Sequence, residues 1–149
     1  MSIGLAEAAR HFGVCVEVAL AADFDHDMIE IYKRNLPASQ TQTADVAQLF
    51  DGRIGARLTT KEQKVAKTIG DVDVLVGGPP CQGHSDLNNH TRRRDPKNAL
   101  YLRMARAAEV LAPKFVIIEN VATVQWDKSG VVERTIDALR TAGYARRRV

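Results

Sequence analysis

The spacing of hydrophobic positions predicts five helices along the 149-residue chain. In the first helix, apolar residues recur about one turn apart before Gly13 ends it, at Ile3, Leu5, Ala8, Ala9 and Phe12. The other four have start or stop signals: Asp25 to Asn35, TKEQKVAKTI after Thr59 or Thr60, Asn98 to Leu111, and GVVERTIDALRTAG after Ser129. Helices of these lengths are typical of a globular domain.

Continuous apolar runs predict buried strands between these helices. The runs are Val14–Ala22, Val72–Val76 and Phe115–Ile118, and Tyr144 resembles the start of another strand. The segment Thr43–Phe50 is ambiguous between helix and strand. Strands that alternate with helices predict a parallel sheet covered on both faces, so the expected fold class is α/β, as one domain or part of one.

Composition and charge narrow the class of protein only slightly. Hydrophobic residues make up 45% and charged residues 26% of the chain, and no apolar run reaches the roughly 20 residues of a membrane helix. The net charge of +3, with Arg92–Arg94 and Arg146–Arg148, fits either solvated patches or a polyanionic partner. Cys15 lies in an apolar run and is expected in the core, whereas Cys81 follows two prolines. We therefore expect a reduced, intracellular protein with no membrane association.

Chemically informative residues follow each predicted strand. Asp23 ends the first strand, Pro79-Pro80-Cys81 follows the second, and Glu119-Asn120 ends the third. Ligands of open α/β sheets bind at the carboxyl ends of the strands. If the strands are parallel, these three groups are expected along one edge of the sheet.

Ordinary structural roles are also open to these residues. Asp23 either holds a ribose or acts as a cap or loop acid, and Phe24 either stacks on a purine or packs inward. Glu119 is costly to bury unless it is protonated or paired. It is therefore either a general acid, oriented by Asn120, or an edge carboxylate paired with an arginine.

Cys81 lies in a loop that two prolines stiffen and neighbouring glycines leave open. Such a loop suits a nucleophile that must be aimed and helped to ionise, although a structural cysteine remains an equal alternative. The four histidines show no metal-ligand spacing, so no metal site is expected. Neither a phosphate-binding GxxxxGKS loop nor a GxGxxG motif is present.

Several segments closely resemble motifs of the C5 cytosine DNA methyltransferase family. DVLVGGPPCQGHS resembles its catalytic loop, and FVIIENV, at Phe115–Val121, resembles its ENV motif at the expected distance. DPKNALYLRMARAAEVLAPK resembles the helix between these motifs, and MSIGLAEAARHFG resembles the helix after its glycine-rich first motif. ALAADFDHDMIEIYKRN and QTADV resemble its second and third cofactor-contacting segments. The resemblance covers nearly the whole chain.

This resemblance implies a Rossmann-like S-adenosylmethionine-dependent methyltransferase fold with a mostly parallel sheet. It also implies double-stranded DNA as the partner, from which the target cytosine is flipped out. The catalytic residues that it implies are the nucleophile Cys81, Glu119 at N3 of the base, and the loop-supporting Pro80 and Asn120. The implied cofactor-binding residues are Asp23 at the ribose, Phe24 on the adenine, Asp45 at its amino group, and Val46, Pro79, Asn98 and Leu100 around them.

The resemblance also implies further parts of the enzyme. A first strand with an FxGxG loop is expected before Met1, and an arginine motif and a target-recognition domain are expected beyond Val149. Residues 1–149 are then a partial catalytic domain, incomplete at both ends, which a complementary polypeptide could complete. A non-catalytic remnant and a tRNA methyltransferase stay open as alternatives, although PPCQGHS favours the DNA branch. A nicotinamide-dependent enzyme is a more distant alternative.

Overall fold

The computed structural model describes residues 1–79, 99–120 and 130–145. Helices and short strands alternate along these ranges, which confirms a mixed α/β architecture. In chain order the elements are α1 (Ser2–His11), β1 (Ala21–Asp23), α2 (His26–Asn35), β2 (Thr41–Thr43), α3 (Val46–Leu49), α4 (Thr60–Ile69), β3 (Val74–Gly77), α5 (Ala99–Leu111), β4 (Phe115–Ile118) and α6 (Val131–Thr141).

The strands form two parallel pairs. β1 pairs with β2, with Asp23 opposite Thr43, and β3 pairs with β4, with Gly77 opposite Ile118. The parallel direction was predicted correctly. In the described part of the chain, however, the two pairs are separate two-stranded sheets, so the prediction of one sheet is confirmed only in part.

The predicted strand Val14–Ala22 is wrong over most of its length. Regular pairing covers only Ala21–Asp23, preceded by an isolated bridge between Val18 and Ala38. Cys15 is exposed, so its expected place in the core is also wrong. A strand depends on hydrogen bonds to a neighbouring strand, and an apolar run by itself does not supply them.

The later strands fit the prediction better. β4 has the predicted bounds, whereas β3 is Val74–Gly77 and the predicted run was Val72–Val76. Phe115 and Ile117 on β4 are 66% and 44% exposed. The expectation that helices cover both faces of the sheet is therefore wrong for this strand. One face of β4 is left open by the described helices.

Local capping contacts account for two correctly predicted helix starts. The Asp25 carboxylate accepts hydrogen bonds from the backbone N–H groups of Asp27 and Met28 at the start of α2. Thr59 and Glu62 form a reciprocal capping box at the start of α4. Since both contacts join residues two or three positions apart, the sequence alone is sufficient to predict them.

Other predicted element ends differ from the structure. The ambiguous segment 43–50 contains the end of β2 and the short helix α3. Gly130, in the left-handed region at φ 61°, is the N-cap of α6, so the predicted Ser129 cap is wrong. Tyr144 does not begin a strand within the described residues, and its hydroxyl donates to the Pro113 carbonyl at 2.6 Å.

Helix α5 lies at the centre of the fold. It contacts α3, α4 and α6, and its small buried residues Ala105 and Ala108 allow neighbouring elements to approach closely. A hydrophobic cluster forms around α3 and α5, from Leu49, Phe50, Ala107 and Val110. Ala22 of β1 and Leu75 of β3 both pack against this cluster, so the two strand pairs share one core.

Candidate active site

The carboxyl ends of β1 and β2 bring several predicted cofactor-binding residues together. Asp23 ends β1, and its carbonyl accepts a hydrogen bond from the N–H of Ala44 at 2.8 Å, just past the end of β2. Phe24 and Asp45 are therefore the first residues beyond this contact on either side. Asp45 and Val46 were implied only by the family resemblance. The predicted single edge joining Asp23 to Pro79 and Glu119 is not formed in the described residues, where β1–β2 and β3–β4 are separate sheets.

Asp23 is half-buried and takes part in a tight turn. Its Oδ1 accepts a hydrogen bond from the backbone N–H of Asp25 at 2.9 Å. This contact agrees with the interpretation of Asp23 as a loop acid, but it uses only one carboxylate oxygen. No described residue donates to Oδ2, which therefore remains able to accept from the hydroxyls of a sugar.

Phe24 is 76% exposed, so the alternative that it packs inward is wrong. Exposing an aromatic ring in a loop loses the free energy that its burial would contribute, about 1.5–3 kcal/mol. A flat ligand that stacks on the ring would recover part of this contribution. The exposed ring follows directly after the Asp23 carboxylate.

Asp45 is exposed and caps α3, with its Oδ1 accepting from the N–H of Ala47 at 2.8 Å. Val46, the first residue of α3, is half-buried. The cap fixes the Asp45 carboxylate and leaves its Oδ2 without a described donor. Two carboxylates and one exposed ring thus lie at adjacent strand ends, and each carboxylate has one oxygen that accepts from no described residue.

The carboxyl ends of β3 and β4 form a second candidate edge. The Glu119 N–H donates to the Gly77 carbonyl at 3.1 Å, which extends the strand pairing by one residue. The Asn120 side-chain amide then donates to the carbonyl of the buried Pro79, also at 3.1 Å. Asn120 thus contacts the segment that leads into the predicted nucleophile loop.

Glu119 is exposed, so the expectation that its carboxyl group is buried at the end of an apolar strand is wrong. A methyl group built at Gly78 would lie 3.5 Å from Glu119 Oε2, which places the carboxylate beside the start of the same loop. No lysine or arginine of the described ranges forms an ion pair with it. The Glu119 carboxylate is therefore accessible to a ligand at this edge.

Three predicted site residues, Pro80, Cys81 and Asn98, lie outside the described residues, and so do Arg92–Arg94 and Arg146–Arg148. Leu100, the second residue of α5, is described and half-buried. In the described ranges, no group of three or more His, Cys, Asp or Glu side chains has the arrangement of a metal site. No described helix is long and apolar enough to span a membrane.

A buried ion pair, which no sequence pattern predicted, joins α4 to α5. Arg106 on α5 donates to both carboxylate oxygens of Glu62 on α4, at 2.6 and 2.8 Å, and the two side chains are 1% and 0% exposed. Glu62 also accepts from the N–H groups of Gly52 and Thr59, each at 2.9 Å. Glu109 provides Arg106 with a second carboxylate at 2.8 Å.

The hydrogen bonds from Arg106 lower the pKa of Glu62 from 4.5 to about 2 and raise the pKa of Arg106. A buried pair of charges persists when each partner satisfies the other and the remaining hydrogen-bonding groups are also paired. The spacing Thr59-x-x-Glu62 is the sequence signature of a capping box and could have drawn attention to Glu62. No comparable local signal exists for Arg106.

Two arginines of α5 also donate hydrogen bonds to backbone carbonyls of the loop that follows α3. Arg103 Nη1 donates to the carbonyls of Phe50 and Gly52, at 3.0 and 2.9 Å. Arg106 Nη1 donates to the Ala56 carbonyl at 2.9 Å. A Cβ at Gly52 would collide with the Glu62–Arg106 pair, so only glycine fits at this position.

Comparison with known proteins bears on the whole chain. The model of the family described as C-5 cytosine-specific DNA methylase matches residues 1–147. The chain is 38% identical to the type II methyltransferase M1.BsuMI of Bacillus subtilis over 97% of the chain and 34% of that protein. It is 30% identical to the type II methyltransferase M1.HphI of Haemophilus parahaemolyticus over 96% of the chain and 35% of that protein.

A eukaryotic relative has a similar level of identity. The chain is 29% identical to the DNA (cytosine-5)-methyltransferase PliMCI of Paracentrotus lividus over 95% of the chain and 9% of that protein. The chain thus spans about a third or less of the length of these relatives. Since the family match extends over almost every residue, the chain belongs to the C-5 cytosine-specific DNA methylase family.

Proposed function

We propose that this chain is part of the catalytic domain of a DNA (cytosine-5-)-methyltransferase that methylates C5 of cytosine in double-stranded DNA. The observation that carries the proposal is the hydrogen bond from Asn120 to the Pro79 carbonyl. It joins the segment that resembles the ENV motif to the start of the segment that resembles the catalytic loop. Family membership supplies the reaction class, and this contact brings the two most specific motifs to one edge.

The proposed methyl donor is S-adenosylmethionine, which supplies the methyl group when it is bound. In this proposal Asp23 accepts hydrogen bonds from the ribose hydroxyls, Phe24 covers one face of the adenine, and Asp45 accepts from the adenine amino group. The free carboxylate oxygens and the exposed ring support these roles. Residues proposed to line the rest of the pocket are Val46, Pro79, Asn98 and Leu100.

At the base, the Cys81 thiolate is proposed to form a bond to C6 of the flipped cytosine. A proton shared between the Glu119 carboxyl group and N3 stabilises the charge that this addition places on the ring. C5 then takes the methyl group, loses its proton, and the bond between sulfur and C6 breaks. The exposed position of Glu119 beside Gly78 supports its contact with a base, while Pro80 and Asn120 hold the Cys81 loop.

Covalent capture on 5-fluorocytosine DNA tests this proposal, because fluorine at C5 prevents the proton loss that releases the cysteine. A duplex containing the analogue is incubated with S-adenosylmethionine and the complete enzyme of which this chain is proposed to be part, and the product is separated under denaturing conditions. We expect a protein–DNA adduct that Cys81→Ser abolishes. Cys15→Ser is the matched control, since Cys15 is the chain's other cysteine and should be dispensable. An adduct that survives Cys81→Ser would contradict the assignment.

The substrate and the completeness of the enzyme are tested with the same reagents. Because the chain spans about a third of its bacterial relatives, we include in the proposal a polypeptide that supplies the remaining parts. Methylation of duplex DNA and of tRNA is compared with and without that polypeptide. Transfer to tRNA alone would replace the DNA proposal with the tRNA alternative. Acting on DNA, the enzyme would be intracellular.

A further inference from the structure

Arg103 on α5 contacts the end of α3 in a way that the proposed chemistry does not use. Its guanidinium donates to the carbonyls of Phe50 and Gly52, and it forms no ion pair with an acid of the described ranges. Phe50 is the C-cap of α3. A positive group that donates to the last carbonyls of a helix satisfies unpaired acceptors and offsets the negative end of the helix dipole.

The two ends of α3 are so close that a contact with Phe50 at its end can affect the position of Asp45 at its start. α3 has four residues, so at roughly 1.5 Å per residue it is about 6 Å long. Asp45 caps its start, and Val46 is its first residue. A single turn of helix is not stable by itself, so its position depends on the packing of Leu49 and Phe50 against α5 and on the hydrogen bonds at its two ends.

Substitution of Arg106 would not test the position of α3 by itself, because it would also destabilise the whole fold. Arg106 is fully buried in the pair with Glu62, whereas Arg103 is only part-buried and binds two backbone carbonyls. Removing the Arg103 guanidinium therefore leaves no buried carboxylate without a partner. Its loss should loosen the end of α3 while the Glu62–Arg106 pair remains in place.

We propose that Arg103 is a positioning residue of the cofactor site. It holds Asp45 and Val46 in place through the carbonyl of Phe50, at the other end of α3, and that of Gly52, two residues beyond. This inference rests on the proposed contact of Asp45 and Val46 with the adenine. Arg103 touches neither cofactor nor substrate. Its effect is therefore on the affinity for the cofactor and on its KM, with a smaller effect on kcat.

The test measures binding of S-adenosylhomocysteine by calorimetry to the complete enzyme of which this chain is proposed to be part, and to four variants of it. Arg103→Met keeps the aliphatic length and removes the donors, and we expect about tenfold weaker binding. Arg103→Lys keeps the charge and one donor direction, so we expect it to restore binding in part. Asp45→Ala reports whether the adenine contact exists. Thr135→Val, which removes a buried hydroxyl hydrogen bond on α6, is the control for stability lost elsewhere.

Thr135→Val is expected to lower the unfolding midpoint and leave the affinity unchanged. If Arg103→Met binds as the unchanged protein does while Asp45→Ala binds weakly, the positioning role is overturned and the proposed function stands. If Thr135→Val weakens binding as much as Arg103→Met, the effect is one of general stability and the inference also fails. Absence of binding by the complete, unchanged enzyme would contradict the proposed function itself.

Discussion

Replacing Glu62 with glutamine should destabilise the fold strongly, because every acceptor position of its carboxylate is in use. Oε1 accepts from Gly52 N–H and Arg106 Nε, and Oε2 accepts from Thr59 N–H and Arg106 Nη2. Glutamine has the same shape, but one of its two ends is an NH₂ group. In either orientation this group faces two N–H donors, which lose their acceptor while the Arg106 charge stays buried.

Two lines of reasoning give the size of the effect. Breaking a buried ion pair by removing one partner costs about 3–5 kcal/mol. The lowered pKa of Glu62, from 4.5 to about 2, corresponds to roughly 3 kcal/mol at about 1.4 kcal/mol per pKa unit. Because Glu109 still lies 2.8 Å from Arg106 Nη1, we expect the lower end, about 3 kcal/mol.

Urea unfolding followed by far-ultraviolet circular dichroism measures this loss. The midpoint should fall while the slope of the free energy with urea stays the same, since the folded state keeps its compactness. Glu30→Gln is the matched control. It removes the same charge from an exposed pair with Lys33 at 2.7 Å, and it should cost less than about 0.5 kcal/mol.

Equal losses for Glu62→Gln and Glu30→Gln would refute the reasoning. They would mean that Glu62 contributes no more than an exposed carboxylate, in spite of its burial and its four hydrogen bonds. A changed slope with urea would instead show that the variant alters the compactness of one state. The free-energy difference would then no longer measure the ion pair alone.

Three further changes test other contacts. Lowering the pH from about 5 towards 2 should reduce the free energy of unfolding by the same roughly 3 kcal/mol. Folding depresses the pKa of Glu62, so the stability that its carboxylate contributes is lost when the carboxylate is protonated. The free energy of unfolding, measured across this pH range, should show no such loss in Glu62→Gln. Gly77→Ala should cost less than about 1 kcal/mol in urea unfolding, since the added methyl would meet only the flexible end of the Met104 side chain, 2.5 Å from its Sδ, which can move aside; a loss of several kcal/mol would contradict this reasoning. Tyr144→Phe should cost about 1 kcal/mol in the same urea assay, through loss of the bond to the Pro113 carbonyl; an unchanged midpoint would count against that bond.

Features that depend on neighbouring residues in the sequence could be predicted. The caps of α2 and α4 at Asp25 and Thr59 join residues a few positions apart, and both helices begin where they were expected. β4 was predicted with the correct bounds because Phe115–Ile118 is a short apolar run between a proline and a polar pair. In these elements the local interactions and the fold agree.

Strands that depend on distant partners were predicted less well. The apolar run at residues 14–22 contains Cys15, which is exposed, and only its last two residues join β1. β2, with the sequence Thr-Gln-Thr, has no hydrophobic run at all, and it exists because it pairs with β1. A strand is defined by its neighbour, which the sequence of the strand does not contain.

In the candidate site, too, residues marked by their local sequence were predicted and residues with distant partners were not. Asp23 and Glu119 were predicted from their places at strand ends, and Phe24 from its unusual place in a loop. Arg103 and Arg106 were not predicted, because their partners are distant in sequence; Arg106 and Glu62 are 44 residues apart. The family resemblance supplies the roles of Pro80 and Cys81, which stay predictions because these residues lie outside the described ranges.

The positions of free and paired charges around α3 fit a site that is assembled in advance. Asp45 at its start is exposed and has one carboxylate oxygen that accepts from no described residue, whereas Glu62 and Arg106 beyond its other end are buried and paired. A ligand-binding carboxylate must stay free of strong protein partners, so its position has to be fixed by the backbone beneath it. Paired charges that hold the backbone in place reduce the ordering that binding would otherwise require. On the proposal made for Arg103, its two backbone contacts contribute to affinity without touching the ligand, so its loss should weaken binding even where Asp45 itself is unchanged.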